Sequence, residues 1–301
     1  MDLGRDNTVR QLVERLRTRK ASDPPISVEG TWGSFARLLA AYVYQELGRP
    51  VLFVCAHIDD ADSAGDDLQV FSGQPAETLP VWESPSAAED GSDEIGSQRI
   101  RLALNLARRR QNGQGRPFLM SASIQSLIEP VPSSHCLAEG GVTLQVGGTQ
   151  EPQALAERLL EWGFEEVEQV DIPGQFARRG GIVDVYAAAS ATEGTSESSQ
   201  SEPVRLEFFG DEITSIRTID LDTQRSGRSI QWVQFFGGPQ RRQTDDSELF
   251  LNLLPEDTVI FLEEPLELAE VAEVFLSRVE EPRGLYRWES IYRAVQRFAA
   301  V

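Results

Sequence analysis

The chain has 301 residues, which is enough for two compact domains or for one domain that interrupts another. It is 40% hydrophobic and 25% charged, so an ordinary core can form, and no apolar run approaches the ~20 residues of a membrane span. With 48 acidic and 28 basic residues the formal net charge is −20, which argues against a general nucleic-acid surface and leaves weak DNA contact to a local basic patch.

Cysteine and histidine usage gives no sign of a metal or redox centre. The two cysteines, Cys55 and Cys136, have no CxxC partner, and the two histidines, His57 and His135, belong to no ligand cluster or triad. We therefore predict no catalytic residue, no metal and no cofactor. The start of the chain lacks the apolar stretch of a signal peptide, so we expect a cytoplasmic protein without membrane contact.

Residues 1–140 have the pattern of an α/β domain. A short amphipathic helix is predicted first, with helical spacing of Val9, Leu12, Val13 and Leu16. A short strand in ISVEG, a glycine turn, a helix over 34–47 and a buried strand over 51–55 then indicate a βαβ unit on a parallel sheet. Helices are also predicted over 62–71 and 97–110, and PFLMSASIQSLIEPVP supplies a strand followed by a helix.

Residues 141–236 have a different, α+β pattern. The strands are predicted in VTLQVGG, EVEQVDIP, QFARRGGIVDVYAA, VRLEFFGD and EITSIRTIDLD, and PQALAERLLEWGF is a helix closed by Gly163. This order predicts an antiparallel meander with one helix. The segment Ala187–Pro203 is rich in Ser, Glu and Thr, so we expect a flexible hairpin loop there. Residues 237–301 return to α/β, with a buried strand in DTVIFLEEP and an acidic helix after it.

The turn before the helix over 34–47 occupies the place of a phosphate-binding loop without its chemistry. That loop requires GxxxxGK[ST], in which backbone N–H groups and a lysine hold phosphate and a hydroxyl holds magnesium. The residues here are Gly30, Thr31, Trp32, Gly33, Ser34, Phe35, Ala36 and Arg37. Phe35, Ala36 and Arg37 replace the last glycine, the lysine and the hydroxyl residue. Ala36 cannot reach an oxyanion, and we expect the Phe35 ring to project into the phosphate space.

A second degenerate element follows the strand over 259–262. Glu263 stands where a magnesium-binding aspartate would follow the strand in an NTPase, and it is one methylene longer. An ordinary buried strand that ends in acids would have the same sequence. Together with Gly30, Gly33, Ser34 and Ala36, however, Glu263 indicates a nucleotide site that has lost its function, and we expect no hydrolysis.

Several segments resemble a known family. LPVWESPSA, SDEIGSQRIRLALNLARRR and PFLMSASIQSLIEPVP resemble the first domain of bacterial transcription-repair coupling factors (Mfd), and VLFVCAHIDDADSAGDDLQVF resembles a strand and helix that UvrB and Mfd share. The most specific part, GQFARRGGIVDVY with PVRLEFFGDEITSIRTIDLDTQRS, resembles the second domain of that family. The resemblance covers roughly residues 24–290. It implies a degenerate RecA/helicase-like parallel-sheet domain, 1–140 and 237–301, interrupted by an α+β domain, 141–236.

The resemblance also implies a function. In that family the second domain binds UvrA, the damage-recognition ATPase of nucleotide excision repair, and the matching positions here are Arg179, Arg205 and Phe209. We therefore expect a UvrA-binding module of transcription-coupled repair without its own ATPase or translocase. The chain has no aromatic-rich hairpin insertion of the UvrB type, and it has no second P-loop or DEAD/H motif. The resemblance therefore does not imply RNA polymerase binding or translocation for this chain. The chain could be either a truncated protein or a stand-alone protein.

Strand alternation offers a physical reason for this site. In VRLEFFGD, alternate residues face the same way, so Phe209 shares a polar face with Arg205 and Glu207. A phenylalanine on a polar face suits a partner anchor, although it could also pack under a neighbouring loop. Arg178 and Arg179 should project from a strand edge, where they could bind carboxylates, contact DNA phosphate or simply be solvated. The competing function is an ATP-dependent, UvrB-like or Mfd-like helicase or translocase fragment that binds damaged DNA.

Overall fold

The computed structural model describes residues 3–19, 23–81, 94–112, 117–139, 141–187, 190–192, 202–236, 247–279, 282 and 284–301. The chain divides into two compact units. Unit 1 consists of Met1–Val81, Arg108–Pro130 and Glu248–Val301, and unit 2 consists of Trp82–Ala107 and Val131–Ser247. Two boundaries of this division fall about ten residues from the predicted limits at 141 and 237, whereas Trp82–Ala107, predicted as part of the first domain, belongs to unit 2. The predicted domain limits stay a prediction.

The helices in chain order are α1 (Asn7–Thr18), α2 (Phe35–Leu47), α3 (Ile58–Ser72), α4 (Glu94–Asn112), α5 (Ile124–Ile128), α6 (Ser134–Glu139), α7 (Pro152–Glu161), α8 (Pro265–Arg278) and α9 (Trp288–Val295). The strands are β1 (Val51–Cys55), β2 (Ala76–Leu79), β3 (Leu119–Ser123), β4 (Val131–Pro132), β5 (Gly141–Gln145), β6 (Glu165–Glu166), β7 (Gln175–Arg179), β8 (Ile182–Tyr186), β9 (Ser190–Thr192), β10 (Val204–Phe209), β11 (Glu212–Asp220), β12 (Arg225–Ser229), β13 (Trp232–Phe236), β14 (Ser247–Glu248), β15 (Val259–Leu262) and β16 (Ala299–Ala300). Leu3–Arg5 and Phe250–Leu253 are short 3₁₀ turns.

Unit 1 is built on a five-stranded parallel sheet in the order β16-β15-β1-β3-β2. Every residue of β1 and of β3 is buried, as expected for the central strands of a parallel sheet with helices on its faces. The four apolar side chains predicted to share one face of α1 are all buried in the core of this unit. The predicted α/β class and the helix over 34–47 are confirmed.

Unit 2 contains a six-stranded sheet in the order β12-β11-β10-β8-β7-β6, antiparallel except for the short β6–β7 pair. One face of this sheet packs into an apolar core with α7 and with a separate three-stranded sheet, β5-β13-β9. The side chains that alternate onto that face, such as Val183, Leu206 and Ile216, are fully buried. The predicted antiparallel α+β class is therefore confirmed, and the smaller sheet is an addition to it.

Three predicted elements differ from the structure. The segment Ile26–Glu29 is not a strand; the Ile26 backbone N–H donates to Ala300, but the chain does not continue that ladder. Of the strand predicted in EVEQVDIP, only Glu166 lies in a strand, and the backbone N–H of the next residue, Val167, still donates to Phe176 of β7. Within Ala187–Pro203, Ser190–Thr192 forms strand β9 against β13, so low apolar content did not prevent pairing there. Residues 188–189 and 193–201 of that predicted loop lie outside the described residues.

Candidate functional site

Unit 1 contains a cleft of about 850 Å³ at the carboxyl ends of β1 and β15. In open parallel sheets, ligands bind outside these strand ends, so this is the place where a nucleotide would bind. The structure brings all five residues of the predicted degenerate site together there, since the lining includes Gly30, Gly33, Ser34, Ala36 and Glu263.

The turn that enters the cleft has two glycines in the left-handed conformation but lacks the side chains of a phosphate-binding loop. Gly30 and Gly33 have φ values of +80° and +56°, in the left-handed region that glycine adopts without strain. Ser34 precedes the first residue of α2 but makes no side-chain capping hydrogen bond. The expectation for Phe35 is wrong: its ring packs against the core of unit 1, because burial of an aromatic ring is more favourable than exposure in an open cleft.

The charges that line the cleft are mainly negative. Five carboxylate residues and one arginine are among the lining residues: Glu29, Asp60, Glu263, Glu264, Glu267 and Arg37. Among the described lining residues the one cation is Arg37, and it is already paired, since its Nη1 lies 3.0 Å from Asp67 Oδ2. A polyanion that entered the cleft would therefore meet mainly like charges among these residues.

Burial shifts the pKa values of the ionisable groups at the floor of the cleft. It raises the pKa of Glu263, an effect that nearby Arg37 partly offsets, and it strongly raises the pKa of the Cys55 thiol, which hydrogen-bonds to Glu263. For Arg37, burial lowers the pKa, but the hydrogen bond to Asp67 and the charge of Glu263 raise it overall. Glu263 is therefore partly shielded from solvent and hydrogen-bonded to Cys55 where it lines the cleft. Among the described residues, no group of three or more His, Cys, Asp or Glu side chains is placed to hold a metal.

Unit 2 offers a different kind of site on the face of its large sheet that points away from the core. Strand pairing aligns Arg179, Ile182, Glu207 and Ser215 in one row across β7, β8, β10 and β11. The next row on the same face is Ala177, Asp184, Arg205 and Arg217. Directly paired residues of an antiparallel sheet share a face, so the two rows form one surface, called here the outer face.

Phe209 projects from one end of the outer face, at the last residue of β10. Its side chain is 81% exposed, so the alternative in which it packs under a loop is wrong. The β10–β11 turn that carries it is held firmly: Gly210 has φ +61°, and the backbone of residues 147–150 bonds to Asp211 and Ile213. An exposed aromatic ring on a fixed turn loses little conformational entropy on binding, which favours a contact role.

Arg205 is not presented to solvent in the same way. Its Nε and Nη2 atoms donate to the two carboxylate oxygens of Asp184 at 2.7 and 2.8 Å, and Nη1 donates to Ser226 at 3.3 Å. The Asp184 side chain is 5% exposed and that of Arg205 is 18% exposed. The hydrogen bond to Asp184 raises the pKa of Arg205, as does the nearby charge of Glu207. The pair joins β8 to β10 on the outer face of the sheet.

The two arginines of β7 point to opposite sides of the sheet. Arg178 donates to the side chain of Gln153 in α7, on the core side, whereas Arg179 donates to the backbone carbonyl of Glu168. Both are exposed, and β6 pairs with only the first two residues of β7, so both lie beyond that pairing on an edge as predicted. Of these two arginines, Arg179 is the one that shares the outer face with Phe209.

A known family matches part of unit 2. Residues 142–239 match the model of the family described as "UvrB interaction domain". This segment belongs to that family. The UvrB interaction domain contains Arg179, Arg205 and Phe209, whereas the residues of the degenerate nucleotide site lie outside the match.

The similarity to known proteins extends beyond the UvrB interaction domain. A "Transcription-repair-coupling factor" of Bacillus subtilis is 32% identical over 216 residues, which is 70% of this chain and 17% of the relative. Proteins with the same name match from Mycobacterium bovis, at 32% over 64% of this chain, and from Escherichia coli, at 25% over 71%. The resemblance predicted from the sequence is therefore confirmed. The chain spans only 15–17% of the length of these three relatives.

The sequence predicted most residues of the two candidate sites, and these assignments stay predictions, but it did not indicate two residues of the UvrB interaction domain. Asp184, the partner of Arg205, and Ile182, which is 37% exposed beside Arg179, were not singled out. The signal was present in the alternation of IVDVY, where a carboxylate lies between two buried valines, Val183 and Val185. Within the described ranges, no helix is both long enough and apolar enough to cross a membrane.

Proposed function

We propose that this chain is a protein-interaction module that binds UvrA in transcription-coupled nucleotide excision repair. The observation that carries the proposal is Phe209, which is 81% exposed at a fixed turn within the UvrB interaction domain. Exposed aromatic side chains next to arginines are the usual energetic centres of protein interfaces.

The charge around Phe209 suits a protein partner better than DNA. Arg179 and Arg217 are exposed cations on the outer face, whereas Arg205 is neutralised by Asp184 and lies near Glu207. A net charge of −20 over the chain disfavours phosphate backbones, whose binding depends on many unpaired cations. A carboxylate of UvrA opposite Arg179 fits this pattern. Weak binding to DNA and a cytoplasmic location stay predictions, and contact with RNA polymerase is not expected of this chain.

The same proposal includes the absence of ATPase activity in this chain. Support comes from the acid-lined cleft of unit 1, from Ala36 in the place of the phosphate-binding lysine, and from Arg37, which is already paired with Asp67. The relatives' own activities as whole proteins are not assigned to this chain, because it spans so little of them.

The test is the affinity of the purified chain for purified UvrA, measured by surface plasmon resonance. We expect Phe209→Ala to weaken binding about 30-fold or more, the loss typical of an interface hot spot, and Arg179→Ala to weaken it about fivefold or more. Leu160→Ala is the matched control, because Leu160 is also an exposed apolar side chain of unit 2, at 50%, but lies on α7.

Two outcomes would contradict the proposal. If the parent chain shows no affinity for UvrA, the function is wrong. If the Arg179→Ala, Phe209→Ala double variant binds as tightly as the parent, the site is wrong. Circular dichroism of each variant checks that the loss of binding is not a loss of folding.

A further inference from the structure

The outer face of the large sheet is covered at one end and open at the other. At the covered end, Ala177 and Ile219 form a small buried cluster with Val170, and Tyr186 packs against it. At the open end, the exposed side chains include Phe209, Ile182, Arg179 and Glu212, which pairs with Phe209. Any partner of this face must therefore approach the end where the β7–β8 and β10–β11 turns lie.

Ile182 is an apolar residue in an otherwise polar row. Its paired neighbours are Arg179 on one side and Glu207 on the other, and it remains 37% exposed. Single exposed apolar side chains are common and need no explanation by themselves. What distinguishes Ile182 is its position relative to Phe209.

The register brings these two apolar side chains together. Ile182 pairs with Glu207, and Phe209 is the next residue of β10 on the same face, so Ile182 and Phe209 are diagonal neighbours. Diagonal neighbours lie about 7–8 Å apart, within reach of an aromatic ring. The two turn residues before β8 are Gly180 and Gly181, so neither adds a side chain next to this pair.

The backbone beneath this pair leaves little freedom for rearrangement. Gly180 has φ +59°, and the Phe208 backbone N–H donates to the Gly181 carbonyl at 2.7 Å. A Cβ atom on Gly181 would lie 2.8 Å from the Phe208 carbonyl oxygen, so only glycine permits this close approach. The two turns are thus locked side by side, and the two apolar side chains are presented together.

We propose that Ile182 is a second apolar anchor for UvrA, and that Arg205 is a positioning residue that holds β8 and β10 together through Asp184. This inference rests on the proposed function. The docking strip then consists of Arg179, Ile182 and Phe209. The complementary surface of UvrA has an apolar groove long enough for both anchors, with a carboxylate opposite Arg179.

The experiment measures the dissociation constant for UvrA of the parent, Phe209→Ala, Ile182→Ala and Ile182→Thr. Threonine keeps the β-branch that suits a strand but removes apolar surface, so it tests contact independently of strand propensity. We expect both Ile182 variants to bind about five- to tenfold more weakly, with unchanged melting temperature. Ile172→Ala is the matched control, because Ile172 is 42% exposed in the same unit but precedes β7 at the other end of that strand, and it should bind as the parent does.

The outcomes separate the two proposals. If the parent binds UvrA, Phe209→Ala weakens binding and both Ile182 variants bind like the parent, the second anchor is wrong while the proposed function stands. If the parent does not bind UvrA, both are wrong. Equal weakening by Ile172→Ala and Ile182→Ala would also overturn the assignment, since it would show no preference for the Phe209 end.

Discussion

The cleft of unit 1 and the outer face of unit 2 both carry residues that sequence reasoning selected, but they differ in what those residues can still contact. The cleft has the location and glycine turn of a nucleotide site, yet its one lining arginine is paired with Asp67 and carboxylates dominate its walls. The outer face keeps Phe209 and Arg179 exposed on turns that the backbone holds in place.

A binding site requires side chains that are still available for contact with a partner, and not only residues of the right type. Arg37 and Arg205 both satisfy their charge within the chain, through Asp67 and Asp184, and so contribute to internal order. Arg179 instead donates to a backbone carbonyl, which leaves its charge without a counter-ion in that contact.

Replacing Arg205 with alanine should destabilise unit 2. The change leaves the Asp184 carboxylate, 5% exposed, without its bidentate partner, and we expect the free energy of unfolding to fall by about 2–4 kcal/mol. Urea denaturation followed by circular dichroism measures this. Arg225→Ala, which removes an exposed arginine from the same sheet, is the control and should change stability little.

A double-mutant cycle sharpens the result for Arg205. The double variant Arg205→Ala, Asp184→Ala should recover part of the lost stability, because no buried charge is then left unpaired. If Arg205→Ala has the stability of the parent, Arg205 is not a positioning residue. The distinction between a structural Arg205 and an Arg179 available to a partner is then wrong.

Replacing Glu263 with glutamine should change how stability depends on pH. Burial raises the pKa of Glu263 in the folded protein above its usual 4.5, so the folded state holds this proton more tightly than the unfolded chain does. The corresponding stability is present below pH 4.5 and is lost as the pH rises through the raised folded value. The free energy of unfolding of Glu263→Gln relative to the parent should therefore increase from pH 4.5 to pH 7.

The comparison needs a charge control. Glu256→Gln removes an exposed carboxylate from the same unit, and the pH-dependent difference seen for Glu263→Gln should exceed that of Glu256→Gln. A relative stability of Glu263→Gln that decreases over this pH range would show that Glu263 is stabilised as a carboxylate, as in a working metal site.

The smallest expected effect is the response of the chain to nucleotide. Calorimetric titration with magnesium ATP up to about 1 mM should give no binding isotherm, which bounds the binding free energy at about −4 kcal/mol. Ala36→Lys restores the missing cation but not the missing glycine and hydroxyl residue, and it should not restore turnover. Micromolar affinity in the parent that Ala36→Lys increases would favour the competing ATPase function.

Much of the fold could be predicted because it depends on local periodicity. The spacing of apolar residues located α1 and α2, and continuous apolar runs located β1 and β15. Prediction from the sequence was wrong where strand pairing depends on residues that are far apart in the chain. Ser190–Thr192 has no apolar pattern of its own, but β13 provides a partner for its backbone, and Ile26–Glu29 has a strand-like pattern without a ladder to join.

By itself, the sequence determined which side chains share a face of β10, because alternation is a property of the single strand, and it determined that the nucleotide loop lacks its lysine. The tertiary structure decided which of those side chains remain available. Asp184 meets Arg205 only through the antiparallel register of β8 and β10, and Ile182 joins Phe209 through the same register. Charge neutralisation and exposure depend on which strands become neighbours, and residues far apart in the chain set them.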